Sequence, residues 1–133
     1  MLEKKGFTSY TIDAGRDIYH KGIDLTIALE NPFDTTQAIG TACITKGSIC
    51  GSSGNRRNWS TYTHIINPHS LTSPTHIKGV WIFAETAILA DSLTTAIFFT
   101  PLSILKTHFS FEHVIVYEDG SAVISEGFPG KLF

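Results

Sequence analysis

Apolar and polar residues alternate most clearly at two places in the chain. Ile23 to Glu30 reads IDLTIALE, with Ile23, Leu25, Ile27 and Leu29 on one side and Asp24, Thr26, Ala28 and Glu30 on the other. A period of two predicts a strand with one buried and one wet face. Phe109 to Glu126 reads FSFEHVIVYEDGSAVISE and predicts a β-hairpin. Val114 to Tyr117 is β-branched and aromatic, Asp119-Gly120 can supply the positive φ angles of a two-residue type I′ turn, and Ala122-Val123-Ile124 returns. With Asp119 and Gly120 at the centre, Tyr117 faces Ala122, Val116 faces Val123, Ile115 faces Ile124 and His113 faces Glu126. One side then carries Phe109, Phe111, His113, Ile115, Tyr117, Ala122, Ile124 and Glu126. It is the expected core face, because it holds the large aromatic rings.

Weaker signals fill in the remainder. Residues 7–13 (FTSYTID) predict an edge strand, and 14–22 a loop. The Asp13-Ala14-Gly15-Arg16-Asp17 stretch reads as a polar turn, since the further acidic ligands of an EF-hand are missing. Asn31-Pro32-Phe33-Asp34 turns the chain into a strand over 37–45. Residues 47–58 (GSICGSSGNRRN) read as a Gly/Ser loop. Residues 60–66 predict another strand. Residues 76–83 (HIKGVWIF) predict a strand deep in the sheet, with Trp81 as a central core aromatic. Residues 85–93 read as an irregular crossing, too short for a helix without packing. Residues 94–100 (TTAIFFT) then read as a strand, 102–107 as a link, and the tail from Gly127 as docked through Phe128 and Phe133 or loose. The five prolines all fall at element ends.

About eight short strands with frequent turn signals predict an all-β chain. The expected architecture is one antiparallel β-sandwich domain over residues 1–133, immunoglobulin-like and ending in a β-hairpin, with a small β-barrel as the alternative. The Cys-Trp-Cys spacing of antibody domains is absent, so no family is implied.

Bulk properties narrow the function classes. The 133 residues suffice for a core, and the low charged fraction of 17% argues against disorder. A net charge of −2 without a basic run excludes a dedicated nucleic-acid binder. No stretch is long and apolar enough to span a membrane. The Met1 to Gly6 segment lacks the apolar region of a signal peptide, so a cytoplasmic location is expected. There Cys43 and Cys50 are expected to be free and buried.

Candidate chemistry is sparse. His20, His64, His69, His76, His108 and His113 show no spacing that predicts a metal site, and no cofactor fingerprint or Gly-x-Ser-x-Gly elbow is present. The sharpest constellation is the predicted His113–Glu126 cross-strand pair. With Tyr117 and Trp81 it would form the polar floor of an aromatic-lined ligand pocket. The Gly-rich loop before Arg56 and Arg57 is a weaker candidate for anion binding. Phe98 and Phe99 cannot both point inward from one strand, so an outward ring suggests a covered interface, most simply in a homodimer or with another protein. These features favour a non-enzymatic module acting through protein contacts or self-association. A small-molecule-binding sandwich or barrel ranks second, and a metal-dependent hydrolase third.

Overall fold

The computed structural model describes residues 1–54 and 62–133. A 3-10 turn at Glu3–Lys5 leads into strands β1 (Tyr10–Asp13), β2 (Asp17–Glu30), β3 (Ala38–Ser53) and β4 (Ile77–Ala84). Helices α1 (Ala87–Ala96) and α2 (Leu102–His108) follow, then β5 (Glu112–Tyr117), β6 (Ala122–Ile124) and β7 (Gly130–Leu132). All seven strands belong to one open antiparallel sheet in the order β1-β2-β3-β4-β5-β6. β7 pairs with the first half of β3. The antiparallel, strand-rich prediction holds. The immunoglobulin-like sandwich does not, because helices rather than a second sheet cover one face. No helix among the described residues is long and apolar enough to cross a membrane.

The helices account for the largest departure from expectation. Thr86 caps α1 by accepting a hydrogen bond from the Leu89 N–H at 3.3 Å. Ala90, Leu93, Thr94 and Ile97 recur at helical spacing and are buried, whereas Ile88 is 82% exposed. The β-branched run at 94–100 mimics a strand, but this apolar stripe packs on β3 and β4 and overrides the local preference. A ten-residue helix needs such packing to persist. Phe98 and Phe99 therefore lie beyond the end of a helix rather than in a strand. Phe98 is buried and Phe99 is 38% exposed.

The sheet has a core on each face. Between the helices and the sheet gather Cys50, Val80, Ile82, Ala84, Leu93, Ile97, Phe111 and Ile115. On the other face, Leu25, Ile27 and Leu29 of β2 and Ala42, Ile44 and Ile49 of β3 gather with Trp81, Phe83, Val114 and Val116. Phe128 and Leu132 complete this second cluster, so the tail docks through Phe128 while Phe133 stays exposed.

The second core forms because the β2–β3 ribbon folds back on itself. A straight 14-residue strand would be roughly 45 Å long. Yet Arg16, just before β2, forms an ion pair with Glu30 at its far end. The register shift between Lys21 and Leu25 supplies one bend, and it leaves Ile23 85% exposed instead of aligned with Leu25. Gly47, opposite His20, supplies another at φ +127°. A Cβ there would stand 2.8 Å from the Phe83 ring and 3.0 Å from the Ala84 carbonyl oxygen. β3 therefore continues through the predicted 47–58 loop as far as Ser53. Of the strand expected over 60–66, residues 62–66 form none, and 60 and 61 lie outside the described residues.

The C-terminal hairpin exists in a different register. Val114 pairs with Ile124, Ile115 with Val123 and Val116 with Ala122. Tyr117 N–H donates to the Ser121 carbonyl at 2.9 Å, leaving Glu118, Asp119 and Gly120 as a three-residue turn. Gly120 takes the left-handed conformation at φ +84°, and Asp119 Oδ1 accepts from the Ser121 N–H at 2.9 Å and the Ser121 hydroxyl at 2.6 Å. One extra turn residue shifts the whole return strand by one, and all three residues of β6 are exposed.

Gly47→Ala is expected to destabilise the protein by about 2 kcal/mol or more, from backbone strain plus the clash with Phe83. Urea denaturation checks this, and an unchanged midpoint would show that the ribbon does not need its glycine bend.

Candidate functional site

Where the folded-back ribbon closes, segments distant in sequence meet around a cleft of about 490 Å³. It is lined by Ala14, Gly15, Arg16 and Asp17 from the β1–β2 turn and by Glu30 from the end of β2. Gly51, Ser52 and Ser53 of β3, His64, and Asp91 of α1 complete the lining. The turn is held by local bonds. Asp13 Oδ1 accepts from the Gly15 N–H at 2.8 Å with Gly15 at φ +93°, and the Arg16 carbonyl accepts from the Gly51 N–H at 3.2 Å. Arg16 then reaches across, donating through Nη2 to Glu30 Oε1 and through Nη1 to Ser53 Oγ at 2.9 Å.

The wall under α1 is fixed by a proton count. Thr94 Oγ1 is fully buried and donates its proton to the Asp91 carbonyl at 2.7 Å. Its 2.9 Å contact with Ser52 must therefore run from the Ser52 hydroxyl to Thr94. This chain ties α1 to β3 and sets Asp91 over the cleft. Beneath it, Cys50 is buried, with its thiol 3.8 Å from the Ala87 carbonyl. Burial first, and then the Asp17 and Asp91 carboxylates, push this thiol up to about 12. Cys50 is thus an inert thiol and not a nucleophile. Cys43 is also free, as expected, but exposed.

Chemically, the lining sets three carboxylates and an imidazole against one guanidinium. Such a set can accept hydrogen bonds, take up a proton from a reacting group and neutralise a developing charge. Among the described residues, no three His, Cys, Asp or Glu side chains gather as a metal site.

The constellation predicted from sequence is not assembled. His113 pairs with Ser125 rather than Glu126. Its N–H donates to Ser125 Oγ at 2.8 Å, and its carbonyl accepts from the Ser125 N–H at 2.9 Å. Glu126 is exposed in the turn that follows β6. Trp81 packs in the second core, whereas Tyr117 packs with the helix-side core, so the two lie on opposite faces of the sheet. Arg56 and Arg57 fall outside the described residues. The residues that do converge had been seen singly. Arg16 and Asp17 sat in a stretch read as a polar turn, His64 among dispersed histidines, and Asp91 in a segment read as irregular. The Asp-Ala-Gly-Arg-Asp stretch was the usable signal, as charged residues around a glycine at a strand boundary.

Residues 1–112 match the ApbE family. The chain belongs to the ApbE family. No curated protein matches it by sequence. Among solved structures, the ApbE protein of Thermotoga maritima is similar at 23% identity and a TM-score of 0.79, over 89% of this chain and 43% of that one. The flavin transferase ApbE of Vibrio cholerae is similar at 18% identity and 0.71, over 96% and 45%. The flavinyl transferase ApbE of Pseudomonas stutzeri, in its apo form, is similar at 19% and 0.65, over 98% and 42%. The chain thus spans less than half the length of each of these three ApbE structures, and these likenesses establish a shared fold. Family membership overturns the expected non-enzymatic interaction module of immunoglobulin type.

His113 is 2% exposed, and its Nδ1 has no hydrogen-bond partner among the described residues. Burial, then the Lys106 charge, hold its pKa below the ordinary 6.5, against a smaller opposing effect of Glu112. The unfolded chain therefore takes up this proton at a higher pH than the folded one. The stability at stake is full above pH 6.5 and is lost as pH falls below it. His113→Leu should flatten that slope and, by removing an orphaned polar atom, be neutral or stabilising by about 1 kcal/mol at pH 7. Thermal melts from pH 7.5 to about 5 read both effects. For the thiols, iodoacetamide at about pH 8 should alkylate Cys43 in the folded protein and Cys50 only after unfolding in urea. Peptide mass spectrometry distinguishes the sites, and rapid native labelling of Cys50 would contradict its placement.

Proposed function

We propose that this chain supplies the substrate cleft of a flavin transferase, with the space between the Ala14–Asp17 turn, β3 and α1 receiving a flavin-bearing donor. The observation that carries this reading is that the family match over residues 1–112 contains every described lining residue of the cleft, from Ala14 to Asp91. ApbE relatives from Vibrio cholerae and Pseudomonas stutzeri are named as flavin and flavinyl transferases. A volume of about 490 Å³ falls within the range of small-molecule sites.

Moving a flavin group between carriers requires an acceptor atom to lose a proton while a leaving group gains charge. Asp17, Asp91 and His64 are the bases available for the first task. Arg16 offers positive charge for the second. The rigid tie of α1 to β3 through Ser52 and Thr94 would keep Asp91 at one position, which group transfer between two bound partners rewards. Because the chain covers less than half of the three ApbE structures named above, the activity is proposed for the ApbE unit to which this chain contributes the cleft.

The test follows flavin fluorescence on titration with purified protein, then covalent flavin on acceptor protein by in-gel fluorescence after denaturation. Wild type should bind a flavin saturably. Asp91→Asn should lower transfer by about a hundredfold or more if Asp91 takes the proton. Flavin fluorescence and polarisation unchanged at millimolar protein would rule the reading out.

A further inference from the structure

A second cavity, of about 520 Å³, lies where β4 ends and β5 begins, and it shares no lining residue with the cleft. Phe83, Phe109 and Phe111 line it, with Glu85, Glu112 and Gly127. Glu112 stands opposite Phe83 in the β4–β5 ladder, so the two side chains rise from one face of the sheet. Its carboxylate lies over Gly127, where a Cβ would stand 2.6 Å from Oε1 and 3.2 Å from Oε2. Among the described residues, neither Glu112 nor Glu85 makes a side-chain hydrogen bond or an ion pair. Lys106 lines an adjoining groove of about 400 Å³ and pairs with neither carboxylate. Glu112 is half-buried, and a carboxylate drawn partly out of water without a partner is unfavourable. Phe109 is 46% exposed, a large apolar ring left in water beside it.

This lining selects the charge of an occupant. Two carboxylates repel phosphates and carboxylic acids. An uncharged guest would leave Glu112 without a partner. A divalent metal needs several ligands converging on one point, and among the described residues no three His, Cys, Asp or Glu side chains do so. An organic cation suits both parts of the lining, because phenylalanine rings attract cations through their quadrupole and the carboxylates supply the opposite charge. A primary ammonium carries three N–H donors that each need an acceptor, whereas a fully methylated one has none and presents methyl groups to the rings. We propose that this cavity is a second binding site, for a small methylated ammonium cation. Glu112 provides the counter-charge, and Phe83, Phe109 and Phe111 form the walls. Glu85 is exposed, so its charge is screened and it contributes less. The cavity volume falls within the range of small-molecule sites. The site stands apart from the flavin reading and does not depend on it.

Calorimetry of the whole chain with choline and with 3,3-dimethyl-1-butanol tests this, with a thermal melt of each variant. The two probes share a shape, and only choline is charged. Wild type should bind choline about tenfold or more tighter than the alcohol. Glu112→Gln should close most of that gap and leave the alcohol within about twofold. Gly127→Ala keeps the glutamate but pushes its carboxylate aside, and φ at that position is not left-handed, so alanine fits the backbone. It should act like Glu112→Gln, and it carries the test if the glutamine variant fails to fold. Phe109→Leu, at an exposed ring, should weaken choline by about threefold or more and spare the alcohol. Each variant should leave flavin binding as it is in wild type, because the two cavities share no residue. Equal affinities for choline and the alcohol would overturn the inference by making the cavity a plain apolar groove. Choline binding that survives in both Glu112→Gln and Gly127→Ala would overturn it too, as would no choline binding at millimolar concentrations. Ethanolamine held more tightly than choline would overturn the methylated head in favour of a primary amine. A trimethyllysine peptide held more tightly than choline would overturn the small-molecule assignment in favour of a protein side chain.

Discussion

The bend of the β2–β3 ribbon is the constraint on which the rest of this structure depends. Folding a long hairpin over its own sheet sacrifices regular pairing between Lys21 and Leu25 and demands a glycine at 47. Each lost ladder hydrogen bond costs about 1 kcal/mol net. Against that, the bend buries Leu29, Ala42, Ile44 and Ile49, and half-buries Leu25 and Ile27, against Trp81, Phe83, Val114 and Val116. Each large side chain so buried contributes about 1.5–3 kcal/mol. Burial wins by a wide margin, and the ribbon closes. At its tip Pro32 lies against Gly79 of β4, where a Cβ would stand 3.2 Å from the proline ring.

The cleft is a consequence of that closure. A straight ribbon would hold Arg16 and Glu30 at opposite ends of a strand, and Glu30 would not reach the wall that Arg16 shares with Ser53 through the β2–β3 ladder. Once bent, the ribbon supplies two sides of the cleft and α1 supplies a third through Asp91. The Arg16–Glu30 ion pair spans the junction but is not what closes it. Both side chains are more than a quarter exposed, and such pairs contribute little to stability. The hydrophobic core holds the wall.

Two buried groups show how the core treats chemistry it does not use. Cys50 lies directly beneath the cleft, yet burial and the two neighbouring carboxylates keep it protonated. His113, once the centre of the expected pocket, is enclosed beside Phe111, with ring centroids 6.2 Å apart, and is held neutral by burial and Lys106. Residue type alone therefore does not separate Cys50 and His113 from the groups that line the cleft. The groups that can act are Asp17, His64 and Asp91, ordinary on the page of the sequence and joined by the closure of the ribbon.

Strand character, the C-terminal hairpin, the edge position of β1 and the buried β4 were all legible in residue order. Alternation and turn chemistry are local, and the residues involved lie within a few positions of one another. Where two local outcomes differ by about a kilocalorie, the sequence could not choose. Asp119-Gly120 supports a two-residue or a three-residue turn, and the packing of Val114 and Val116 selected the latter, separating His113 from Glu126. Residues 94–100 have strand-like composition, and the stripe from Ala90 to Ile97 turned their first half into helix against β3 and β4. The cleft was least legible, because it joins residues 14–17, 30, 51–53, 64 and 91. No period or spacing links such positions. They meet only because long-range burial bends a ribbon that local preference would leave straight.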